Sequence, residues 1–279
     1  MTPREAAEAV IDDLGITQIE ELDVEAIAFD AGIEVVYESM LGCEATLVGV
    51  GDQAIATINP SKYRGRMRFS IAHEVGHWKL HRGQSFRCRI DQVEDNFASA
   101  GDLEEEANNF ASHLLMPTKL FSDAIQPFGR PNFKQLGDIA EAFQTSLTAT
   151  ALRLVGVDTQ PAIIACYSKK GLKWHSAAKH VPRRWYLKQQ VDEDSFAYDL
   201  LFSGKECRGL GKQSADTWFT NDDAGRYEVL EQCVQIRGEE VLVLLYLADS
   251  QMLYARFDPG VGNRRYNEYG SYVAPRGRG

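Results

Sequence analysis

Residues 68–81 read Arg68-Phe69-Ser70-Ile71-Ala72-His73-Glu74-Val75-Gly76-His77-Trp78-Lys79-Leu80-His81. Inside this stretch, His73 to His77 form the pattern HExxH. Helical residues four apart share a face, so the imidazoles of His73 and His77 project together and can share one tetrahedral ion. Glu74, one position on, is placed to act as general base toward a water at the metal without being a ligand. Two histidines bracketing a glutamate can also occur without metal, so the neighbours decide. Phe69, Ile71, Ala72, Val75, Trp78 and Leu80 make the helix apolar over much of its surface. Burying two histidines and a carboxylate there is costly, and a bound cation offsets the cost.

A catalytic zinc needs a third protein ligand and an open position. Glu104-Glu105-Glu106 opens the next long helical pattern, predicted over Asp102–Leu115. On a helical wheel Glu104 shares the inward side with Ala107, Asn108, Ala111 and Leu115. It is therefore the candidate ligand, with Asn108 one turn later orienting a ligand histidine. Glu105 and Glu106 read as acids that favour the positive end of a helix. His81, one turn beyond His77, reads as a hydrogen-bonded neighbour or surface histidine rather than a ligand.

The 68–81 stretch resembles the signature helix of the ImmA/IrrE metallopeptidase family. Glu104-Glu105-Glu106-Ala107-Asn108-Asn109-Phe110-Ala111-Ser112-His113-Leu114-Leu115-Met116-Pro117 resembles its second signature. The resemblance spans roughly Asp23 to Val155. It implies a zincin-like fold with zinc, or another divalent ion such as Mn2+, held by His73, His77 and Glu104. It also implies limited proteolysis of a helix-turn-helix repressor, and so a place in transcription regulation and stress response. The alternative is a zinc-sensing regulator that binds its partner without cutting it. The intact Glu74 favours the enzyme.

The rest of the chain sets bounds on this reading. Its 279 residues carry 40 acidic against 30 basic side chains, a net charge of −10, with 44% hydrophobic residues. These are globular values, and the acidic balance counts against a protein that mainly grips nucleic acid. The five cysteines, Cys43, Cys88, Cys166, Cys207 and Cys233, contain no CxxC pair. The N-terminal residues lack a signal-peptide pattern, and the longest apolar run, Val241–Ala248, is too short to span a bilayer. A soluble cytoplasmic protein with no membrane partner is expected.

The fold class expected is α+β, in three parts. A zincin-like domain at 1–130 precedes a helix-turn-helix-like module at 131–158 and a β-rich α+β domain at 159–279 that regulates or selects substrate. The strand Gln53–Ile58 is placed where a substrate segment could add. An arginine from the basic loop Arg64–Arg68, His113 or a group of the last domain would stabilise the oxyanion. The apolar stripe Leu136, Ile139, Ala140, Phe143, Leu147, Ala151 and Leu154 gives two helices across a break. The second offers only Thr148, Thr150 and Arg153 to a DNA groove, so direct DNA binding is not expected. Four later runs read as strands: Ile163–Tyr167, Tyr227–Ile236, Val241–Leu247 and Met252–Phe257. Pro182–Leu201 reads as a partner-docking stretch or a segment covering a sheet. Cys88 beside two arginines, and the arginine-bearing tail Asn263–Gly279, complete the features singled out.

Overall fold

A computed structural model describes residues 1–82, 86–88, 98–207 and 209–256, with backbone alone at 86–88 and 98–101. The protein is α+β and divides into two units, Met1–Arg153 and Leu154–Gly279. Cys88's side chain and the tail Asn263–Gly279 lie outside the described residues.

In the first unit, α1 (Pro3–Asp13) starts with a capping box in which Thr2 and Glu5 exchange hydrogen bonds. Asp23 caps α2 (Val24–Asp30) by accepting from two backbone N–H groups. Strands β1 (Ile33–Tyr37), β2 (Ala45–Val50), β3 (Gln53–Ile58) and β4 (Phe86–Cys88) form a sheet ordered β1-β3-β2-β4. Strand β3 is parallel to β1 and antiparallel to β2, so both its edges are taken. The expectation that a substrate adds to Gln53–Ile58 is therefore corrected. A strand's backbone groups can serve two neighbours and no third, and the edges of this sheet are β1 and β4.

Helix α3 (Arg64–Leu80) follows β3 and carries the HExxH residues. Trp78 seats it: the indole Nε1–H donates to the carbonyl of Ala31 at 2.9 Å. Gly49 of β2 makes room for that ring, because a Cβ there would lie 2.3 Å from Trp78 Cζ3. The arginines expected in a loop are on this helix instead. Arg68 is buried and donates to the Leu22 carbonyl at 2.9 Å, and Arg66 pairs with Glu44. Both guanidinium groups thus have structural partners.

The helices that follow along the chain are α4 (Ala98–Leu115), α5 (Thr118–Ile125), α6 (Phe133–Phe143) and α7 (Leu147–Val157), the last passing the unit boundary after Arg153. Gln144 turns α6 into α7 from a left-handed backbone, φ 54°, at the point where a turn glycine is usual. Arg153 and Thr150 on α7 are buried. Arg153 donates to the Met116 carbonyl and to Thr118 Oγ1, both at 2.9 Å, and Glu8 of α1 accepts from the Thr118 N–H at 2.9 Å. The one basic residue that a recognition helix would have offered to DNA is consumed in tying α1, α4, α5 and α7 together.

The second unit is built on β5 (Ala162–Ser168), β6 (Gly171–Ala177), β7 (Gly211–Ser214), β8 (Glu228–Gln235) and β9 (Glu240–Tyr246), with short helices α8 (Phe196–Tyr198) and α9 (Gln251–Tyr254). The sheet order is β6-β5-β9-β8-β7, antiparallel throughout. The run Met252–Phe257, expected as a strand, is helical through Tyr254, and Phe257 lies outside the described residues. The reason is local: Asp249 Oδ1 accepts from the Gln251 N–H at 2.8 Å and starts a turn. Within 182–201, Trp185 packs its ring 4.9 Å from Phe219 and 5.6 Å from Tyr227, so this stretch covers core rather than offering its aromatics to solvent. Among the described residues, no helix is long and apolar enough to cross a membrane.

Candidate metal centre

The HExxH helix is buried along the working stretch, and His73, Glu74 and His77 are each less than 10% exposed. What brings α4 against it is Gly76. A Cβ at that position would meet Ala107 Cα and the Ala107 carbonyl at 3.2 Å and Phe110 Cδ1 at 3.1 Å. Glycine lets the two helix backbones approach, and Ala107, Phe110 and Ala111, all fully buried, complete the contact.

This approach delivers Glu104. Its two carboxylate oxygens lie 3.2 Å from His73 Nε2 and 3.3 Å from His77 Nε2, and the two Nε2 atoms are 3.0 Å apart. Burial holds the His77 imidazole below its usual pKa, which favours the neutral ring. Hydrogen bonding to His73 and His77 holds Glu104 well below the usual carboxylate range, so it is ionised.

The donor set fits a tetrahedral ion. With bonds of about 2.0–2.1 Å, neighbouring ligand atoms of such a centre stand about 3.3 Å apart. The separations of 3.0, 3.2 and 3.3 Å between two imidazole nitrogens and a carboxylate are close to that value. His73, His77 and Glu104 are the group of potential ligands found among the described residues.

Behind His73, Asn108 Oδ1 lies 3.0 Å from Nδ1, so the amide oxygen can accept from that nitrogen and leave Nε2 with its lone pair. Asn108 is one turn from Glu104, and α4 touches His73 through both. Behind His77 stands a pair that sequence reasoning did not assemble. His77 Nδ1 is 3.1 Å from His81 Nδ1, and His81 Nε2 is 2.9 Å from Glu106 Oε2. The reading of Glu106 as a helix-end acid is corrected. Helix α4 begins at Ala98, so no acid occupies its first turn. The i, i+4 spacing of His77 and His81 was the available signal, but it gives no hint of Glu106 on another helix.

His113, considered for the oxyanion, faces Glu8 at 3.7 Å and Arg153 at 3.5 Å, within the cluster that ties α1 to α7. Arg66 and Arg68 are engaged as described above.

A histidine pair on one buried helix, closed by a glutamate from the next, is a group of side chains that could hold a metal ion in an HExxH pattern. Residues 28–155 match the model of the family Peptidase_M78, described as IrrE N-terminal-like domain. A solved structure described as a Mycobacterium tuberculosis transcriptional regulator is similar over 87% of this chain and 75% of its own, with 17% sequence identity and a TM-score of 0.58. At that identity the likeness is one of fold. A comparison with curated proteins gives no match.

Proposed function

We propose that the protein is a zinc-dependent endopeptidase that makes a site-specific cut in a regulatory protein of the helix-turn-helix repressor type. The observation that carries this reading is the convergence of His73 Nε2, His77 Nε2 and both Glu104 oxygens at ligand separations, with the buried Glu74 beside His73 in sequence. The Peptidase_M78 match over the same residues supports it.

His73, His77 and Glu104 would hold the ion, which when bound supplies Lewis acidity to polarise a scissile carbonyl and to ionise water near neutral pH. Glu74 takes the proton of the attacking water and passes it to the leaving amine. Asn108 holds His73 in the tautomer that presents Nε2. The second unit would choose the substrate or control access. Zinc could be replaced by another divalent ion such as Mn2+.

The test uses zinc-loaded wild-type protein and the Glu74→Gln variant on a proteome-derived peptide library, followed by purified helix-turn-helix repressors, with new N-termini read by mass spectrometry. Cleavage by the wild type at defined sites, absent from Glu74→Gln, is expected. Equal cleavage by both would overturn the mechanism. A second reading is a zinc-sensing regulator that binds its partner without cutting; the similar structure described as a transcriptional regulator favours it. Zinc-dependent repressor capture with no new N-terminus would select that reading.

A further inference from the structure

We infer that His81 and Glu106 are positioning residues for the metal centre, forming a relay that fixes the tautomer and orientation of His77. The inference deepens the proposed zinc site and rests on it. The relay runs from Glu106 Oε2 to His81 Nε2 at 2.9 Å, and from His81 Nδ1 to His77 Nδ1 at 3.1 Å.

Only one placement of protons satisfies it while leaving His77 able to bind a cation. For Nε2 of His77 to face Glu104 and His73 with a lone pair, the ring proton must sit on Nδ1. That N–H then donates to His81 Nδ1, which must be the unprotonated nitrogen of a neutral ring. The His81 proton is thereby on Nε2, where the Glu106 carboxylate accepts it. Were Glu106 absent, His81 could take the other tautomer and present an N–H to the N–H of His77. The carboxylate removes that option.

Position in the fold supports this role. His81 is the C-cap of α3, its backbone N–H donating to the His77 carbonyl at 2.8 Å, so the ring is anchored one turn from the ligand. Its side chain is 4% exposed and the Glu106 side chain 49%, so the relay leads from the buried ligand to an acid at the surface. His73 has a neutral amide acceptor behind it and His77 a histidine backed by a carboxylate.

The test measures zinc affinity by competition with a chromophoric chelator on the full chain. The variants are His81→Ala, His81→Asn, Glu106→Ala and the neighbouring control Glu105→Ala. A loss of about 10- to 100-fold is expected for His81→Ala, and a several-fold loss for Glu106→Ala, on the usual scale for groups that hold a ligand. His81→Asn, whose amide oxygen can stand in for Nδ1, should recover most of the affinity, and Glu105→Ala should match the wild type. Nitrogen-detected histidine NMR of the zinc-loaded protein should show His81 protonated at Nε2, with that state lost in Glu106→Ala. Wild-type affinity in both His81→Ala and Glu106→Ala would overturn the relay while leaving the site intact. Absence of zinc binding by the wild type, or undiminished binding by His77→Ala, would instead overturn the zinc site itself. Circular dichroism melts of the metal-free variants separate lost ligation from misfolding.

Discussion

Gly76 and Ala107 are at backbone contact: a Cβ added to Gly76 would stand 3.2 Å from Ala107 Cα. The proposed metal site depends on that approach, because Glu104 reaches His73 and His77 only from a helix packed this closely. Gly76→Ala should raise helix propensity by about 1 kcal/mol yet push α4 outward by a few tenths of an ångström. We expect zinc affinity to fall several-fold with no loss of helical signal by circular dichroism. Gly76→Leu should abolish binding. Unchanged affinity in both variants would show that α4 adjusts without moving Glu104.

Asn108 holds His73 from behind at 3.0 Å. Asn108→Ala is expected to lower zinc affinity by about 10- to 100-fold. Asn108→Asp, which keeps an acceptor at that place, should lose far less. Isothermal titration at constant pH tests both, and equal losses would argue for a packing role instead.

Glu8 gives the first unit an acid-sensitive tie. Burial alone would raise its pKa, but hydrogen bonds with His113 and Thr118 and the charge of Arg153 outweigh burial and bring it to about 2. A depressed acid contributes stability above its ordinary value of 4.5 and loses it as pH falls toward 2. Up to about 3 kcal/mol is involved. Urea unfolding of metal-free protein at pH 6 and pH 3 should show a larger loss for the wild type than for Glu8→Gln. Identical losses would remove Glu8 from the account.

Glu231 has the opposite sign. Its carboxylate is buried in the second unit and accepts from Trp218 Nε1 and the Ala197 N–H, both at 2.9 Å. Burial outweighs these bonds and pushes its pKa up to about 7. Stability is then fully present below the ordinary value of 4.5 and declines as pH rises through 7, by about 3 kcal/mol at most. Between pH 5 and pH 8, Glu231→Gln should flatten the decline measured by denaturant unfolding. A wild-type profile already flat over that range would contradict the assignment.

The parts of this architecture that could be read in advance are those with local causes. The apolar spacing around His73 and His77, and the stop at Pro117, marked α3 and the end of α4. Val241–Leu247 is uniformly apolar and became the buried strand β9. Local cues failed where a polar contact outside the run intervened. Met252–Tyr254 curls into α9 after the turn that Asp249 starts by accepting from the Gln251 N–H, and Arg153 is drawn inward by acceptors from Met116 and Thr118. The three residues of β4 are too few to show a strand pattern.

The sequence by itself determined that His73 and His77 share one face of a helix, with Glu74 between them, because the α-helical repeat fixes the relation of residues four apart. It also singled out Glu104 and Asn108 together, by the same repeat on a second helix. Tertiary structure alone decided that these two helix faces meet and that Glu106 closes on His81. It also decided that β3 has no edge to offer. Such relations depend on how closely two backbones pack and on which strands become neighbours, and no periodicity within a single element encodes either.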